Sequence, residues 1–437
     1  CSLAAFRNNL VHGRPKPAVY VVPCTISYPL VLEASTLIDD WLAEAGKARY
    51  IIVDDEFSRW ERWRDYLRGL LSLADRWTYA RASFTHTFEG WSTIHQPKPL
   101  VFDALVELKT PNPETPEIFE GPDAHLRRRD GFGLTDPRFT PREVMNEVDY
   151  CVVCHEREKD SCSKGIKEKD PIAAGNTFKK NPLGVPLAGC PLEEHISEMH
   201  VLKARGDSLG ALTMVMLDNP MCPGTGHRIC NDCMKACIFQ KQEPVNIPQI
   251  ETSALTDVLA LPYGFEIYGL LTRWNPLNAR RPYAAAANGK NVMVVGMGPA
   301  GYTLSHYLLH EGFTVAGIDG LKIEPFPDAL TGKNGHALTP IRDWKEIAST
   351  LDTRILEGFG GVSEYGITVR WDKSFLTLIH LTLARRDGFK AYGGIRFGGT
   401  LTVDDAWAMG VDHVAIAAGA GKPTLVPMKN NLLRGVR

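Results

Sequence analysis

Long apolar runs are missing from this chain: none reaches the roughly 18 residues that suggest a membrane span. Charge of one sign is not in excess either. Lys and Arg number 49 against 51 Asp and Glu, a net charge of −2, so the basic surface of a general nucleic-acid binder is lacking. Cysteine is sparse, ten residues in 437, far from the density of a disulfide scaffold. The first residues, Cys1-Ser2-Leu3-Ala4-Ala5-Phe6-Arg7, do not form the charged and apolar regions of a secretory leader. These absences lead to the expectation of a cytoplasmic protein with no transmembrane span and no nucleic-acid partner. The chain opens on Cys rather than Met and closes at Leu433-Arg434-Gly435-Val436-Arg437, which reads as a piece of a longer protein. At roughly 150 residues per domain there is room for about three domains.

What cysteine there is lies together. Eight of the ten fall between Cys151 and Glu251. The first run is Cys151-x2-Cys154-x7-Cys162, followed by Cys190-Pro191; the second is Cys222-x7-Cys230-x2-Cys233-x3-Cys237. Tight spacing of this kind in a reducing compartment points to metal binding or redox chemistry. Short loops bring thiolates close enough to hold an iron–sulfur cluster. Two four-cysteine zinc sites are the alternative that spacing alone leaves open. His155, His195, His200 and His227 sit among the cysteines and read as packed or solvated residues.

A second signal follows. Asn291–Val295 reads as a buried parallel strand running into Gly296-x-Gly298-Pro299-Ala300-Gly301, then a helix from Tyr302 to Glu311, then a strand Thr314–Ile318 ending at Asp319. Gly296 permits the tight turn, Gly298 lets a pyrophosphate approach the backbone, and Gly301 lets helix and strand pack closely. Asp319 is placed to hydrogen-bond a ribose hydroxyl. The turn alone does not separate FAD from NAD(P). Ala284–Gly289 reads as a hinge ahead of this unit.

The series Cys190-Pro191-Leu192, Asn219-Pro220, Cys222, Arg228-Ile229-Cys230, Cys233, Cys237 and Pro244-Val245-Asn246-Ile247-Pro248-Gln249-Ile250-Glu251 resembles the N-terminal iron–sulfur domain of the glutamate synthase small subunit and of dihydropyrimidine dehydrogenase. The likeness runs over about residues 140–437. It implies a helical domain with two 4Fe-4S clusters (149–283) followed by a Rossmann-like FAD-binding domain (290–437, truncated). One cluster would take Cys151, Cys154, Cys162 and Cys230, and the other Cys190, Cys233, Cys237 and Glu251, with Cys222 as a spare thiol or the eighth ligand. The gap from Cys162 to Cys190 exceeds the family's spacing, and Cys230-x2-Cys233 is tighter than its counterpart. Gly358 to Val362 with Tyr365-Gly366 resembles a flavin-side loop, which makes Gly361, Tyr365 and Gly366 candidate FAD contacts. Asp412 to Gly421 resembles the strand whose terminal glycine, here Gly419, approaches the flavin nucleotide. In the family NADPH occupies a second dinucleotide fold, and no second GxGxxG is present here. The resemblance implies electron flow from NAD(P)H through FAD and the clusters to an acceptor protein, subunit or further domain. The alternatives are an electron-transfer adaptor without its own substrate site, or the zinc-stabilised accessory domain of an acyltransferase.

The acyltransferase alternative arises from residues 1–105. Val21-Val22-Pro23-Cys24-Thr25-Ile26-Ser27-Tyr28 and Tyr50-Ile51-Ile52-Val53-Asp54-Asp55-Glu56-Phe57 resemble the C-terminal part of glycerophosphate-type acyltransferases. The H-x4-D pair of that family would precede them. The pair present here, His125 and Asp130, lies downstream in a stretch (106–148) that reads as a linker. The linker ends in a helix that Thr140 and Glu143 are placed to cap around Pro141. The expected whole is thus a multidomain α/β chain: an α/β segment, a linker, a helical cysteine domain and a partial Rossmann-like domain.

Overall fold

The computed structural model describes residues 99–105, 109–121, 138–157, 159–169, 176–225, 230–349, 356–358, 372–419 and 429–430. Residues 98–437 form one compact unit and 1–97 another. The acyltransferase-like segment up to residue 98, the His125–Asp130 pair and the loop bearing Gly361, Tyr365 and Gly366 lie outside the described residues.

The first α-helix among the described residues is α1, Pro141–Tyr150, started as its sequence dictates. Thr140 accepts from the Glu143 N–H, and Glu143 accepts from the Thr140 N–H at 2.7 Å, a closed capping box with Pro in the first turn. Short helix α2 (Ser161–Lys164) follows, then a hairpin of β1 (Lys167–Lys169) and β2 (Asn176–Phe178). Helices α3 (Ile196–Ala204), α4 (Ser208–Asp218), α5 (Asp232–Ala236), α6 (Ile247–Leu259) and α7 (Gly264–Leu271) complete the helical part. Helices α3, α4 and α6 pack on one another through fully buried Ile196, Leu212, Ile250, Ala254 and Val258.

The second part is a parallel sheet. Strands β3 (Asn291–Val295), β4 (Thr314–Ile318), β5 (Phe389–Tyr392) and β6 (His413–Ile416) lie in the order β5-β4-β3-β6, all parallel. Helices α8 (Pro299–His310), α9 (Asp328–Thr331), α10 (Ser374–Ala384) and α11 (Val403–Ala408) connect or flank the strands. Strand side chains alternate between faces, and both faces of β3 are covered. Val292 and Val294 join Tyr302 and Leu309 of α8 and Ile379 and Leu383 of α10. Met293 and Val295 join Leu401 and Ala406 on the opposite side. Covering on both faces explains why β3 reads as an unbroken apolar run. The chain leaves β3 toward β4 on one side and returns at β6 on the other. The crevice beyond the carboxyl ends of β3 and β6 is the switch point where doubly wound sheets bind their ligands.

Three histidines are buried neutral. Burial pushes His200 down to about 4, His380 down to about 4 and His306 down to about 3, the last helped by the neighbouring Arg386. An unfolded His titrates near 6.5, so acid protonates the unfolded chain first. Stability is then full above about pH 6.5 and is lost as pH falls toward the folded values. Urea unfolding compared between about pH 7.5 and pH 4.5 should show a loss that His306→Leu reduces by about 3 kcal/mol, the linkage expected of one such group. An identical loss in wild type and variant would mean that His306 is not held neutral.

Candidate cysteine and nucleotide sites

The cysteines are assembled by short elements that hold them in two groups. Helices α2 and α5 pack on one another, which brings Cys162 of α2 to the end of α5 that carries Cys237. Cys154 and Cys162 hydrogen-bond through their thiols, which holds the first below its ordinary value and the second above it. The charge of Cys237 is felt by both Cys151 and Cys162, and that of Cys154 by Cys237. Cys151, Cys154, Cys162 and Cys237 are thus electrostatic neighbours. Around Cys233 lie Cys190, Cys230, Glu194 and Glu251, and the two glutamates also face Cys222.

The resemblance implied Cys230 in the first set and Cys237 in the second; here Cys237 lies near the first run and Cys230 near Cys233 and Glu251. The cause is the five-residue helix α5. Cys230 precedes it and Cys237 caps its C-terminus, so the two thiols leave from opposite ends. The long insertion between Cys162 and Cys190 is absorbed without separating them. The hairpin returns so that the Cys190 N–H donates to the Cys162 carbonyl at 2.8 Å. Its stems touch at Gly165 and Gly189, where φ is +76° and +77°; a Cβ on Gly165 would stand 2.5 Å from the Ala188 carbonyl oxygen.

Backbone N–H groups are aimed at the sulfurs. Val153 donates to Cys151 at 3.4 Å, and the backbone at Leu192, Asp232 and Phe239 favours the charged forms of Cys190, Cys230 and Cys237. Each lies two residues beyond its cysteine. The backbone at Glu194 and Val245 acts likewise on Cys190 and Cys237. Donors so placed favour thiolate, yet burial dominates, pushing Cys151 up to about 11 and Cys190 up to about 12. Without a positive centre these thiols keep their protons, and a metal that bound them would release protons. Among the described residues no three His, Cys, Asp or Glu side chains stand close enough to hold a single ion. One tetrahedral zinc needs its thiolates roughly 3.8 Å apart, as bonds of about 2.3 Å dictate.

Glu251 accepts from Thr225 Oγ1 at 2.8 Å and Asn219 Nδ2 at 3.2 Å, but burial raises it to about 7. Glu194, 7% exposed, is raised by burial and by Glu251 beside it. It is the residue that sequence reasoning missed. Glu193 and Glu194 are adjacent and chemically alike, and only the backbone turn at Glu193, with φ +51°, decides that the second points inward. His195 is tied to Asp218 at 2.7 Å and His155 lies 3.9 Å from Glu198, so both have carboxylate partners.

The glycine-rich turn is built from backbone contacts. Gly296 has φ +95°, and a Cβ there would lie 2.5 Å from the Ala417 carbonyl oxygen. A Cβ on Gly301 would fall on the Gly296 carbonyl oxygen. Gly298 caps α8, with Pro299 and Ala300 opening its first turn. The free N–H groups and dipole of that end favour an anion. Asp319 holds the turn itself: its carboxylate accepts from Met297 N–H and Leu321 N–H, both at 2.8 Å. Two of its roughly four acceptor positions remain for a ribose hydroxyl. Gly419, at φ +70°, has open space around it and follows β6 into the same crevice. Between β3 and β4, Met297 is fully buried with its sulfur against Gly317, a packing need that the GxGxxG pattern does not announce.

Gly296→Ala should therefore break the junction of β3 and β6 and abolish binding of an adenine nucleotide. Gly320→Ala, where a Cβ meets nothing within 4 Å, should leave both binding and melting temperature unchanged. Thermal melts with and without nucleotide test the pair. Equal melts and equal nucleotide binding in the two variants would show that the turn has room to spare.

No family model matches the chain. It is similar to the uncharacterized protein RP006 of Rickettsia prowazekii (strain Madrid E), 51% identical over 217 residues, which is 50% of this chain and 30% of that protein. It is also similar to the uncharacterized protein RP005 of the same organism, 38% identical over 77 residues, 17% of this chain and 26% of that protein. The chain thus spans less than a third of the length of these curated relatives. Among solved structures, a 6-hydroxypseudooxynicotine amine oxidase from Pseudomonas geniculata N1 aligns over 54% of this chain and 25% of its own at 16% identity, with a TM-score of 0.21. That score is too low to carry an argument.

Proposed function

We propose that the chain is the FAD-binding and iron–sulfur portion of an oxidoreductase that passes electrons from NAD(P)H to an acceptor protein, subunit or further domain. The observation that carries the reading is the gathering of eight free cysteines, five buried and three half-buried, in one helical part, with the Val153 N–H aimed at the Cys151 sulfur at 3.4 Å. Hydrogen bonds to sulfur are one of the ways a protein tunes a cluster's potential. In this reading Cys151, Cys154, Cys162 and Cys237 hold one 4Fe-4S cluster. Cys190, Cys230 and Cys233 hold the other, with Glu251 as fourth ligand and Glu194 and Cys222 beside it. The turn Gly296–Gly301, Asp319 and Gly419 hold the nucleotide part of FAD. The flavin, when bound, accepts hydride as an electron pair and releases electrons singly. The chain's own residues fix the thiolates, exclude water from them and set the nucleotide against the end of β3.

Anaerobic preparation with iron, sulfide, zinc and flavin counted tests the reading, with about eight iron and eight sulfide expected for two four-iron clusters. Paired variants test the grouping. Cys151→Ser with Cys237→Ser should leave about four iron, because both residues serve one cluster, whereas Cys151→Ser with Cys230→Ser should remove nearly all. The reverse outcome would restore the grouping implied by the resemblance. Zinc without sulfide would sink the redox reading and leave a structural metal domain.

A further inference from the structure

The segment Asn219–Thr225 has two sides. One carries Cys222, and from it Asn219 and Thr225 donate to the Glu251 carboxylate. The other is seated on the nucleotide fold. Met221, 1% exposed, belongs to the same apolar core as Val292, Val294, Met297 and Tyr302. Tyr302 immediately follows Gly301 of the nucleotide turn and is itself buried. It lies so close to Gly224 that a Cβ there would fall on its hydroxyl and 2.6 Å from Cζ. Two further tyrosines hold this region: Tyr268 of α7 donates to the Pro220 carbonyl at 3.0 Å, and Tyr307 of α8 donates to the carbonyl of Asp218, just before the segment, at 3.3 Å. Gly224 does not need the left-handed region. Its lack of a side chain serves Tyr302 instead.

We propose that Tyr302 is a positioning residue that couples the two sites, so that occupancy of the second cysteine group sets the affinity of the Gly296–Gly301 turn for its nucleotide, and the reverse. The inference rests on the cofactor reading above. A cluster held by Cys190, Cys230 and Cys233 would fix the Glu251 carboxylate beside them and, through the bonds from Asn219 and Thr225, the backbone from Asn219 to Thr225. That backbone presses on Tyr302, whose own main chain lies in the first turn of α8, where the anion would sit. A close-packed seam transmits such a shift because it has no slack to absorb it. Linkage makes the effect on binding reciprocal.

The test uses the full chain, with FAD as the probe. FAD affinity is measured by flavin fluorescence in iron-loaded protein and in the same protein stripped of iron by a chelator, and the rate of iron loss to the chelator is followed with and without FAD. Stripping should weaken FAD binding about tenfold, within the 5- to 150-fold range common for coupled sites, and FAD should slow iron loss. Gly224→Ala should weaken FAD binding although residue 224 lies outside the nucleotide turn. Adding Tyr302→Leu should recover part of that loss, because the clash is removed, so the two changes are not additive. If Gly224→Ala fails to fold, the iron-loss rates of the unmodified chain still decide. Equal FAD affinity with and without iron, an iron-loss rate indifferent to FAD, or strict additivity of the two changes overturns the coupling while leaving both cofactors in place. A chain that takes up neither iron nor flavin overturns the parent reading along with it.

Discussion

The cost of burying ionisable groups governs the helical half of this structure. Cys154, Cys162, Cys222, Cys233 and Cys237 are each 9% exposed or less, with Glu194 buried and Glu251 half-buried among them. Burial disfavours every charged form here. It raises the thiols of Cys151, Cys190 and Cys233 and both carboxylates. A fold whose only task was stability would replace such groups with apolar ones of similar volume. Retaining them, with backbone N–H donors already pointed at the sulfurs, is sensible where a positive centre compensates. The helical half thus keeps thiols and carboxylates whose charged forms only a nearby positive charge would favour.

The sheet half depends on contact distance instead of charge. Gly296 and Gly301 are required because backbone occupies the space where their side chains would be. Gly317 makes room for Met297. Asp319, which the spacing offers as a ribose ligand, also fastens the turn through Met297 N–H. One carboxylate therefore sets the loop's shape and retains acceptor positions for a ligand. This is why the acidic residue sits at the end of β4, beside the turn and across from its N–H groups.

Much of the sheet was legible because its signals are local. The apolar runs Asn291–Val295 and Thr314–Ile318 appear as β3 and β4 with those bounds, and the capping box at Thr140 closes as its residues dictate. The helix after the turn starts earlier than its apolar pattern suggests, at Pro299 and not Tyr302, since Pro is well suited to a first turn. The partition of the cysteines was not legible. Spacing shows that Cys230, Cys233 and Cys237 are near one another, but which end of α5 faces α2 is settled by packing between segments about 70 residues apart. Glu194 was hidden for a related reason: a single backbone turn chooses it over Glu193.

Backbone strain marks the same places. Of the six non-glycine residues with positive φ among the described residues, three flank the cysteines: Val153 at +45°, Asp160 at +29° and Glu193 at +51°. Val153 is the most informative, since a β-branched residue in that region is an outlier for steric reasons. It sits inside Cys151-Val152-Val153-Cys154, and its N–H is the one that donates to the Cys151 sulfur. The unfavourable conformation and the hydrogen bond are one feature. Turning the backbone at Val153 aims the N–H at sulfur and allows Cys154 to point inward. Strain of about 1–3 kcal/mol per residue persists only where the surroundings over-determine it. Here the surroundings are the thiol contacts of Cys154 with Cys162 and the bond from Cys190 to Cys162. Local rules give way around the cysteines and hold in β3 and β4, which is the pattern expected when sequence is constrained by a site as well as by a fold.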